Sequence, residues 1–379
     1  METLRILWLN WRCIRHPRAG GAEVYTHEIA RRLASLGHEI VLATSRPQDL
    51  PSREEIDGYT IIRKGGSLTV YPMAAITYTR LKRSGFKPDI VVDEVNTIPF
   101  MTPLYSREPI TVLIHQLCRD CWGLAVHPLL SGPGWTLERI LHKVYVRAAM
   151  KGRVRLVVTV SDSTRRDLEE LGYPRGIIEV VHNGIDPSRY PEDTCKAPKE
   201  KLIAYVGRIS KYKRLEDLLR AWRIVESRDP EARLIIAGRP DHGYLTHLRY
   251  LAARLGLSRA SINGEISERE KLDILSRATA LAYTSQREGW GRTIIEAGAC
   301  YTPSIAYRVP GLSEAVVDGV TGVLVDPGDI EGLARSILKL LADQDLSYRM
   351  GRAARSRALS FSWDESAKRF LHAILDATY

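Results

Sequence analysis

Short β-rich apolar runs separated by helical stretches recur along this chain, and the pattern starts twice. In the first half, Arg5–Leu9, Glu39–Thr44, Tyr59–Arg63, Ile90–Asp93, Thr111–His115 and Leu156–Val160 read as strands. A helix is expected over Ala22–Leu36, where Val24, Ile29, Leu33 and Leu36 share a side and Gly37 ends it. The polar, proline-bearing stretch from Pro187 to Glu200 then interrupts the alternation and reads as a linker. After it the pattern begins afresh, with strands expected at Leu202–Val206, Arg233–Ala237, Ala260–Asn263, Ala280–Tyr283, Ser304–Ala306 and Gly322–Val325. Helices are expected between them at Leu215–Glu226, Tyr244–Arg254 and Glu268–Arg277, and after them from Ile330 to Leu341. Strands that alternate with helices pair in parallel, because a helix crossover is what connects parallel neighbours. The 379 residues exceed the ~250–300 at which a single core stops growing. The expected fold is therefore α/β, with two doubly wound Rossmann-like domains whose sheet ends face a deep cleft. Residues 1–186 form the first domain, 187–200 the linker and 201–361 the second. A closing amphipathic stretch at Trp363–Leu375, with Trp363, Ala367, Phe370, Leu371 and Ile374 on one face, fits a cap on either domain.

Net charge is +10. Such a balance suits nucleic acid, an anionic membrane surface or phosphorylated small molecules. No RNA-binding signature, zinc-finger spacing or block of consecutive basic residues supports nucleic acid. The apolar runs are too short to span a bilayer, and no signal-peptide core follows the N-terminus, so the expected address is the cytoplasm. One stretch bears on a membrane surface. Helix Leu137–Arg153 carries Leu137, Ile140, Leu141, Val144, Tyr145 and Ala148 on one side. Arg139, His142, Lys143, Arg147, Lys151, Arg153 and Arg155 lie around or just past it. It reads either as a surface for anionic lipid, placing the protein on the cytoplasmic membrane face, or as a core-facing helix with a solvated basic face. The five cysteines form no framework; Cys118 and Cys121 make a CxxC with no second ligand pair and read as ordinary thiols, a disulfide or a metal role being the alternative. Scarce Asn and Gln beside many charged residues point to a heat-adapted source.

The segment most charged with chemistry is Thr284 to Ala297. Glu288 and Glu296 flank Gly289-Trp290-Gly291, which follows a strand-like run and opens an apolar helix. A strand, a glycine turn and a helix start present backbone N–H groups to a phosphate, and the carboxylates add acceptors for sugar hydroxyls. Thr293 is placed to cap that helix, and Glu296, a turn in, to bridge two ribose hydroxyls. The loop Gly207–Arg214 also follows a strand, so Arg208 and Lys213 reach a common anion, a pairing suited to a diphosphate. In the first half, Gly20-Gly21 stands at a helix entrance and His115 at a strand end. A lone histidine is more often structural, but one at the carboxyl edge of a sheet lies where ligands bind. Asn183-Gly184-Ile185-Asp186 reads as a turn at the domain junction.

Taken in order, these residues resemble the GT4 family of retaining glycosyltransferases, which have the GT-B fold. The matches run from Gly20-Gly21-Ala22-Glu23 through His115, Val160-Ser161 and Asn183-Gly184-Ile185-Asp186 in the first half. In the second come Gly207-Arg208 with Lys213, Gly238, Glu288 with Glu296, Gly311 with Glu314, and Asp318-Gly319 to Pro327, then Phe361-Ser362-Trp363. The resemblance implies that Arg208 and Lys213 hold the donor diphosphate and that Glu296 binds the ribose. Glu288, with the backbone N–H groups of Gly289, Trp290, Gly291 and Arg292, would hold the donor sugar. His115 would contact that sugar from the other domain, and the Gly20–Gly21 loop would lie near phosphates and acceptor. The family sends its last helix back to the first domain, which assigns 362–379 there. It needs neither metal nor cofactor, and Asp343-Gln344-Asp345 follows a terminal helix rather than forming a metal motif. Arg292 departs from the aliphatic residue common in the family, and is expected to face an anionic sugar, a lipid phosphate or solvent.

The implied reaction moves a hexose from a nucleoside-diphosphate sugar to a hydroxyl of a glycan or lipid-linked saccharide, with retention. Glu288, His115, Arg208 and Lys213 are the expected catalytic set. A nucleotide-sugar 2-epimerase would need further acid/base residues that the sequence does not identify. A non-catalytic sugar-nucleotide-binding homologue is disfavoured by the intact Arg208, Lys213, Glu288 and Glu296. No Gly-x-Gly-x-x-Gly follows the first strand, which speaks against a nicotinamide enzyme.

Overall fold

Near-continuous apolar runs such as Ile110–Ile114 are typical of a parallel sheet covered by helices on both faces, and that is how they are used. The computed structural model describes residues 3–96, 98–117 and 128–378. They divide into two compact units, one holding the described residues up to 117 with Leu129–Gly184 and the chain from Trp363 on, the other Ile185–Ser362.

The first unit is an eight-stranded sheet of order β3-β4-β2-β1-β5-β6-β7-β8. Its strands are β1 (Arg5–Leu9), β2 (Glu39–Thr44), β3 (Arg53–Ile56), β4 (Tyr59–Arg63), β5 (Ile90–Val95), β6 (Ile110–Ile114), β7 (Val154–Thr159) and β8 (Ile178–Val180). All pairings are parallel except β3 with β4. Helices α1 (Gly21–Ser35), α2 (Val70–Arg83), α3 (Pro128–Met150) and α4 (Asp162–Glu170) make the crossovers. Order reverses at β1, so the loops after β1 and β5 flank a topological switch point. Strand β5 carries two fully buried carboxylates, Asp93 and Glu94, in an otherwise apolar run. Asp93 is structural: it accepts from Thr102 Oγ1 at 2.7 Å, the Phe100 N–H at 3.1 Å and the Tyr145 hydroxyl.

The second unit is a six-stranded parallel sheet of order β11-β10-β9-β12-β13-β14. It comprises β9 (Glu200–Val206), β10 (Arg233–Ala237), β11 (Ala260–Ile262), β12 (Ala278–Tyr283), β13 (Ser304–Tyr307) and β14 (Gly322–Val325). The one-turn α5 (Glu192–Cys195) precedes it. Then come α6 (Leu215–Arg228), α7 (Tyr244–Arg254), α8 (Glu268–Arg277), α9 (Arg292–Ala299), α10 (Leu312–Ala315), α11 (Ile330–Ala342) and α12 (Gln344–Leu359). The order is that of a Rossmann fold, with its switch point between β9 and β12. Helix α13 (Trp363–Thr378) belongs to the first unit. There Phe370 stacks on Trp8 with ring centroids 5.2 Å apart, and Asp364 pairs with Arg32 at 2.6 Å.

Several local expectations change. Strand β3 was not read from sequence because Arg53-Glu54-Glu55-Ile56 has no apolar alternation; it is a charged edge strand, closed on β4 by an Asp57-Gly58 turn with φ of 46° and 83°. Helix α12 was missed for a related reason. It packs on α9 through small residues, with the Gly298 Cα close against the Ala354 carbonyl, and not through an apolar stripe. Asp343, expected merely to follow a terminal helix, caps α12 by accepting from the Leu346 N–H at 2.8 Å. The stretch 187–200 contains α5, buries Tyr190 and Cys195, and lies within the second unit. On α3 the expected faces are redistributed: Tyr145 and Ala148 are buried, but so are Glu138 and His142, while Leu137 and Ile140 are exposed. His142 bonds the Tyr173 hydroxyl at 2.8 Å, and burial pushes its pKa down to about 4, so it stays neutral. Cys118 and Cys121 lie outside the described residues. Among the described residues, no helix is long and apolar enough to cross a membrane.

Candidate functional site

The second unit's switch point gathers most of the expected site. Strand β9 ends at Val206 and the chain turns through Gly207 into the loop bearing Arg208 and Lys213. Strand β12 ends at Tyr283 and leads into the Glu288 loop. The two loops are joined: Thr284 Oγ1 donates to the Lys213 carbonyl at 2.8 Å and the Gln286 N–H to the Tyr212 carbonyl at 2.9 Å. Close backbone approach demands glycine at two places. A Cβ on Gly238 would sit 1.9 Å from the Gly207 carbonyl oxygen, and one on Gly311 would sit 2.3 Å from that of Glu288, at φ of 138° and 80°. Gly238 thus lets β10's end support the Arg208 loop, and Gly311 lets the chain after β13 support the Glu288 loop.

Lys213 is buried, 4% exposed, and its Nζ donates to Glu288 Oε1 and to the Tyr283 hydroxyl, the latter at 3.1 Å. The ammonium lies 4.8 Å and 4.9 Å from the ring centroids of Tyr212 and Tyr283. Burial alone would drive this lysine toward neutrality, but the Glu288 carboxylate overrides it and holds its pKa well above the ordinary value. Glu288 Oε1 also accepts from Ser285 Oγ at 2.7 Å. Tyr205 stacks on Tyr283 with centroids 5.4 Å apart and donates to the Arg208 carbonyl at 2.8 Å, which ties both loops to one aromatic floor. Arg208 itself is half-exposed, and its guanidinium rests on Asp241 at 2.8–2.9 Å. Lys213 and Glu288 are therefore brought into direct contact, while Arg208 is parked on a carboxylate that the sequence reading did not include.

Helix α9 starts at Arg292, with Gly291 in the left-handed conformation at its N-cap (φ 76°). Thr293, expected to cap it, is instead the helix's second residue, and the N-cap position is taken by Gly291, which has no side chain to cap the first turn. Its leading N–H groups point out of the helix start, the arrangement that receives phosphate oxygens. Trp290 is buried, edge-on to Phe361 at 5.0 Å, and so anchors the loop between Gly289 and Gly291. One turn into the helix, Glu296 is buried between two cations, Arg292 Nε at 2.9 Å and Lys271 Nζ at 3.1 Å. Burial opposes its charge, yet Arg292 and then Lys271 hold its carboxyl below the usual range. Arg292 thus pairs with Glu296, a partner that the sequence reading did not name. Lys271, on α8, was missed; a lysine in Glu-Arg-Glu-Lys carries no signal of burial until the helix is docked.

In the first unit, His115 follows β6 and its Nε2 lies 3.1 Å from Glu94 Oε1. Its ring meets Tyr25 edge-on at 5.1 Å. Glu94 also accepts from Trp8 Nε1 at 2.8 Å and from Thr26 Oγ1, and Thr26 accepts from Asn10 Nδ2 at 3.1 Å. Glu94 is the main residue sequence reasoning missed here, although a carboxylate inside Ile90–Val95 was the visible signal. Gly20 forms the extended N-cap of α1, with its N–H 2.7 Å from the Glu23 carboxylate. Burial raises the Glu23 pKa, so the α1 start holds a carboxylate of reduced acidity.

Comparison with known proteins fits this arrangement. The family model described as Glycosyltransferase Family 4 matches residues 19–189, and that described as Glycosyl transferases group 1 matches residues 188–357. A D-inositol 3-phosphate glycosyltransferase of Nocardia farcinica is 30% identical, over 93% of this chain and 84% of its own. A glycogen synthase of Mycobacterium tuberculosis is 28% identical over 96% and 92%. Among solved structures, a sucrose-phosphate synthase from Thermosynechococcus elongatus superposes with a TM-score of 0.83 at 20% identity, covering 99% of this chain and 100% of its own. HepE of Anabaena, solved with UDP and glucose, gives 0.75 at 19% identity, covering 98% and 100%. Two Rossmann-like units of GT-B type, the glycine-supported loops that carry Arg208 and Glu288, and a relative matched nearly end to end together place the chain: it belongs to family 4 of the glycosyltransferases.

Proposed function

We propose that the chain transfers a hexose from a nucleoside-diphosphate sugar to an acceptor hydroxyl with retention and without a metal ion. The observation that carries this reading is the pair of buried Lys213 with partly buried Glu288 just before the α9 N-terminus, with Glu296 one turn into the helix. Departure of the diphosphate builds negative charge on its oxygens. Lys213 and the first N–H groups of α9 are fixed donors in a largely dehydrated place, where such stabilisation is strongest. Arg208 adds a guanidinium once it leaves Asp241. Glu296, held ionised by Arg292 and Lys271, accepts from ribose hydroxyls, and Glu288 from the sugar. No carboxylate is placed as a nucleophile in this reading, so the acceptor oxygen attacks on the face the leaving group vacates. The C1–O bond to the diphosphate breaks, and the acceptor proton passes to the departing phosphate oxygen. In the first unit, His115, oriented by Glu94, is assigned to hydroxyls of the transferred sugar.

For the acceptor, the outer face of α3 carries exposed Leu137, Ile140 and Met150 beside exposed Arg139, Lys143 and Arg147. That combination favours an acceptor displayed on an anionic lipid surface, with the enzyme held peripherally. The test is transfer from labelled UDP-, GDP- and ADP-hexoses, in EDTA, to soluble glycans or to saccharide lipids in anionic vesicles. One donor base is expected to give product with the donor's anomeric configuration, faster on the vesicle-borne acceptor. Inverted product, or a strict requirement for added divalent metal, contradicts the proposal; equal rates on both acceptors contradict the membrane part alone.

A further inference from the structure

Outside the chemistry of transfer, one pair of reactive groups is built into the fold. Cys195 and Cys300 are both fully buried, and their sulfurs lie 3.3 Å apart although 105 residues separate them in sequence. Cys300 terminates α9, one turn beyond Glu296. Cys195 ends α5, a single turn whose other residues, Glu192, Asp193 and Thr194, are exposed, as is Lys196 after it. Cys195 is the buried residue of this turn, which the Tyr301 hydroxyl also holds by donating to Glu192 at 2.9 Å. Two cations surround the pair. Lys199 Nζ donates to the Cys300 carbonyl at 2.8 Å, to the Ser276 carbonyl at 2.7 Å and to Thr302 Oγ1 at 2.7 Å. Arg355 donates to the Ala299 carbonyl and reaches the Tyr190 carbonyl at 3.4 Å.

We propose that Cys195 and Cys300 are a disulfide-forming pair, a covalent cross-link that ties the first stretch of the second unit to the end of the helix carrying Glu296. A disulfide needs the sulfurs about 2.05 Å apart, so closure is a movement of roughly 1.2 Å, within reach of side-chain rotation. The oxidant is a small-molecule disulfide, RSSR, which meets Cys195 when the single-turn α5 opens. The hydrogen bond with Cys300, then Arg355 and Lys199, lower the Cys195 thiol pKa against the opposing effect of burial, which favours its thiolate as the attacking group. Cys195 Sγ attacks one sulfur of RSSR and expels RS⁻; Cys300 Sγ then attacks Cys195 Sγ and expels the second R-thiolate. The two cysteine protons end on the leaving thiolates, so two thiols are oxidised and RSSR is reduced to two RSH. Because the cross-link closes a loop of about a hundred residues, it removes many conformations from the unfolded chain.

The test uses the full chain, equilibrated with oxidised glutathione or with a strong reductant. Free thiols are then blocked by iodoacetamide in denaturant, and the digest is read by mass spectrometry. The Cys195 and Cys300 peptides are expected to be linked after oxidation and separate after reduction, and the oxidised chain to melt several degrees higher. In C195S and C300S the melting temperature should no longer rise on oxidation. Recovery of both peptides separately alkylated after oxidation overturns the proposal, and the peptide reading on the unaltered chain stands even if a serine variant fails to fold. The outcome is independent of which nucleotide-sugar the protein uses.

Discussion

Replacing Lys213 with alanine is expected to lower single-turnover transfer by roughly 10²–10³-fold, the cost of removing one fixed donor to a developing anion. The expectation rests on three observations. The ammonium is buried, it is held charged by Glu288, and it stands on the loop that β9 delivers to the switch point. Truncation also leaves Glu288 and the Tyr283 hydroxyl without their cation. Breaking a fully buried pair costs about 3–5 kcal/mol, but the Glu288 side chain is 15% exposed and water can replace part of the loss. The double variant K213A/E288Q separates the two effects. It is expected to recover most of the thermal stability lost in K213A, because no unpaired carboxylate remains, while transfer stays at the level of the single variant. Neighbours in one polar network are not additive, and the cycle reads that coupling directly. Near-normal transfer by K213A would remove Lys213 from the chemistry.

The second expectation concerns Arg292. R292L removes the guanidinium and leaves Glu296 with Lys271 alone. The Glu296 pKa is depressed in the native chain, so its carboxylate contributes above the ordinary carboxylate pKa, and that contribution is lost as pH falls through the lower folded value. With Arg292 gone the folded value rises, and the acid limb of nucleotide binding should move to higher pH. Near neutrality, binding is expected to weaken roughly tenfold, about 1.4 kcal/mol, because the carboxylate is no longer held in one orientation. KM for the donor should carry the effect more than kcat. An unchanged pH profile would mean that Arg292 serves only packing. Arg292→Lys, which keeps charge but loses the fork, should recover the acid limb and only part of the affinity.

The sequence exposed what is periodic or glycine-marked. Alternating strands and helices led to two mainly parallel sheets, since a buried parallel strand is a near-continuous apolar run. The turns around Gly289 and Gly291 were visible because few other residues accept such geometry. What stayed hidden is what depends on docking. Glu94 becomes a scaffold for His115 only when β5 and β6 pair, which brings it beside its neighbour Leu113 in register. Lys271 reaches Glu296 only when α8 lies against α9, whereas Arg292 reaches it as an i,i+4 neighbour within α9. Asp241 holds Arg208 from a loop 33 residues away. Helix α12 has no apolar stripe to reveal it, since glycine and alanine contacts carry its packing. Cys195 and Cys300 share no spacing motif at all.

The most direct measurement is a titration of UDP, GDP and ADP, in EDTA, against the unaltered chain, K213A and Glu296→Ala. One diphosphate is expected to bind saturably to the unaltered chain and raise its melting temperature, as ligands of the folded state do. Both variants should bind it at least tenfold more weakly. Absence of binding by all three nucleotides, or undiminished binding by both variants, would contradict a donor site built from Lys213, Glu288 and Glu296.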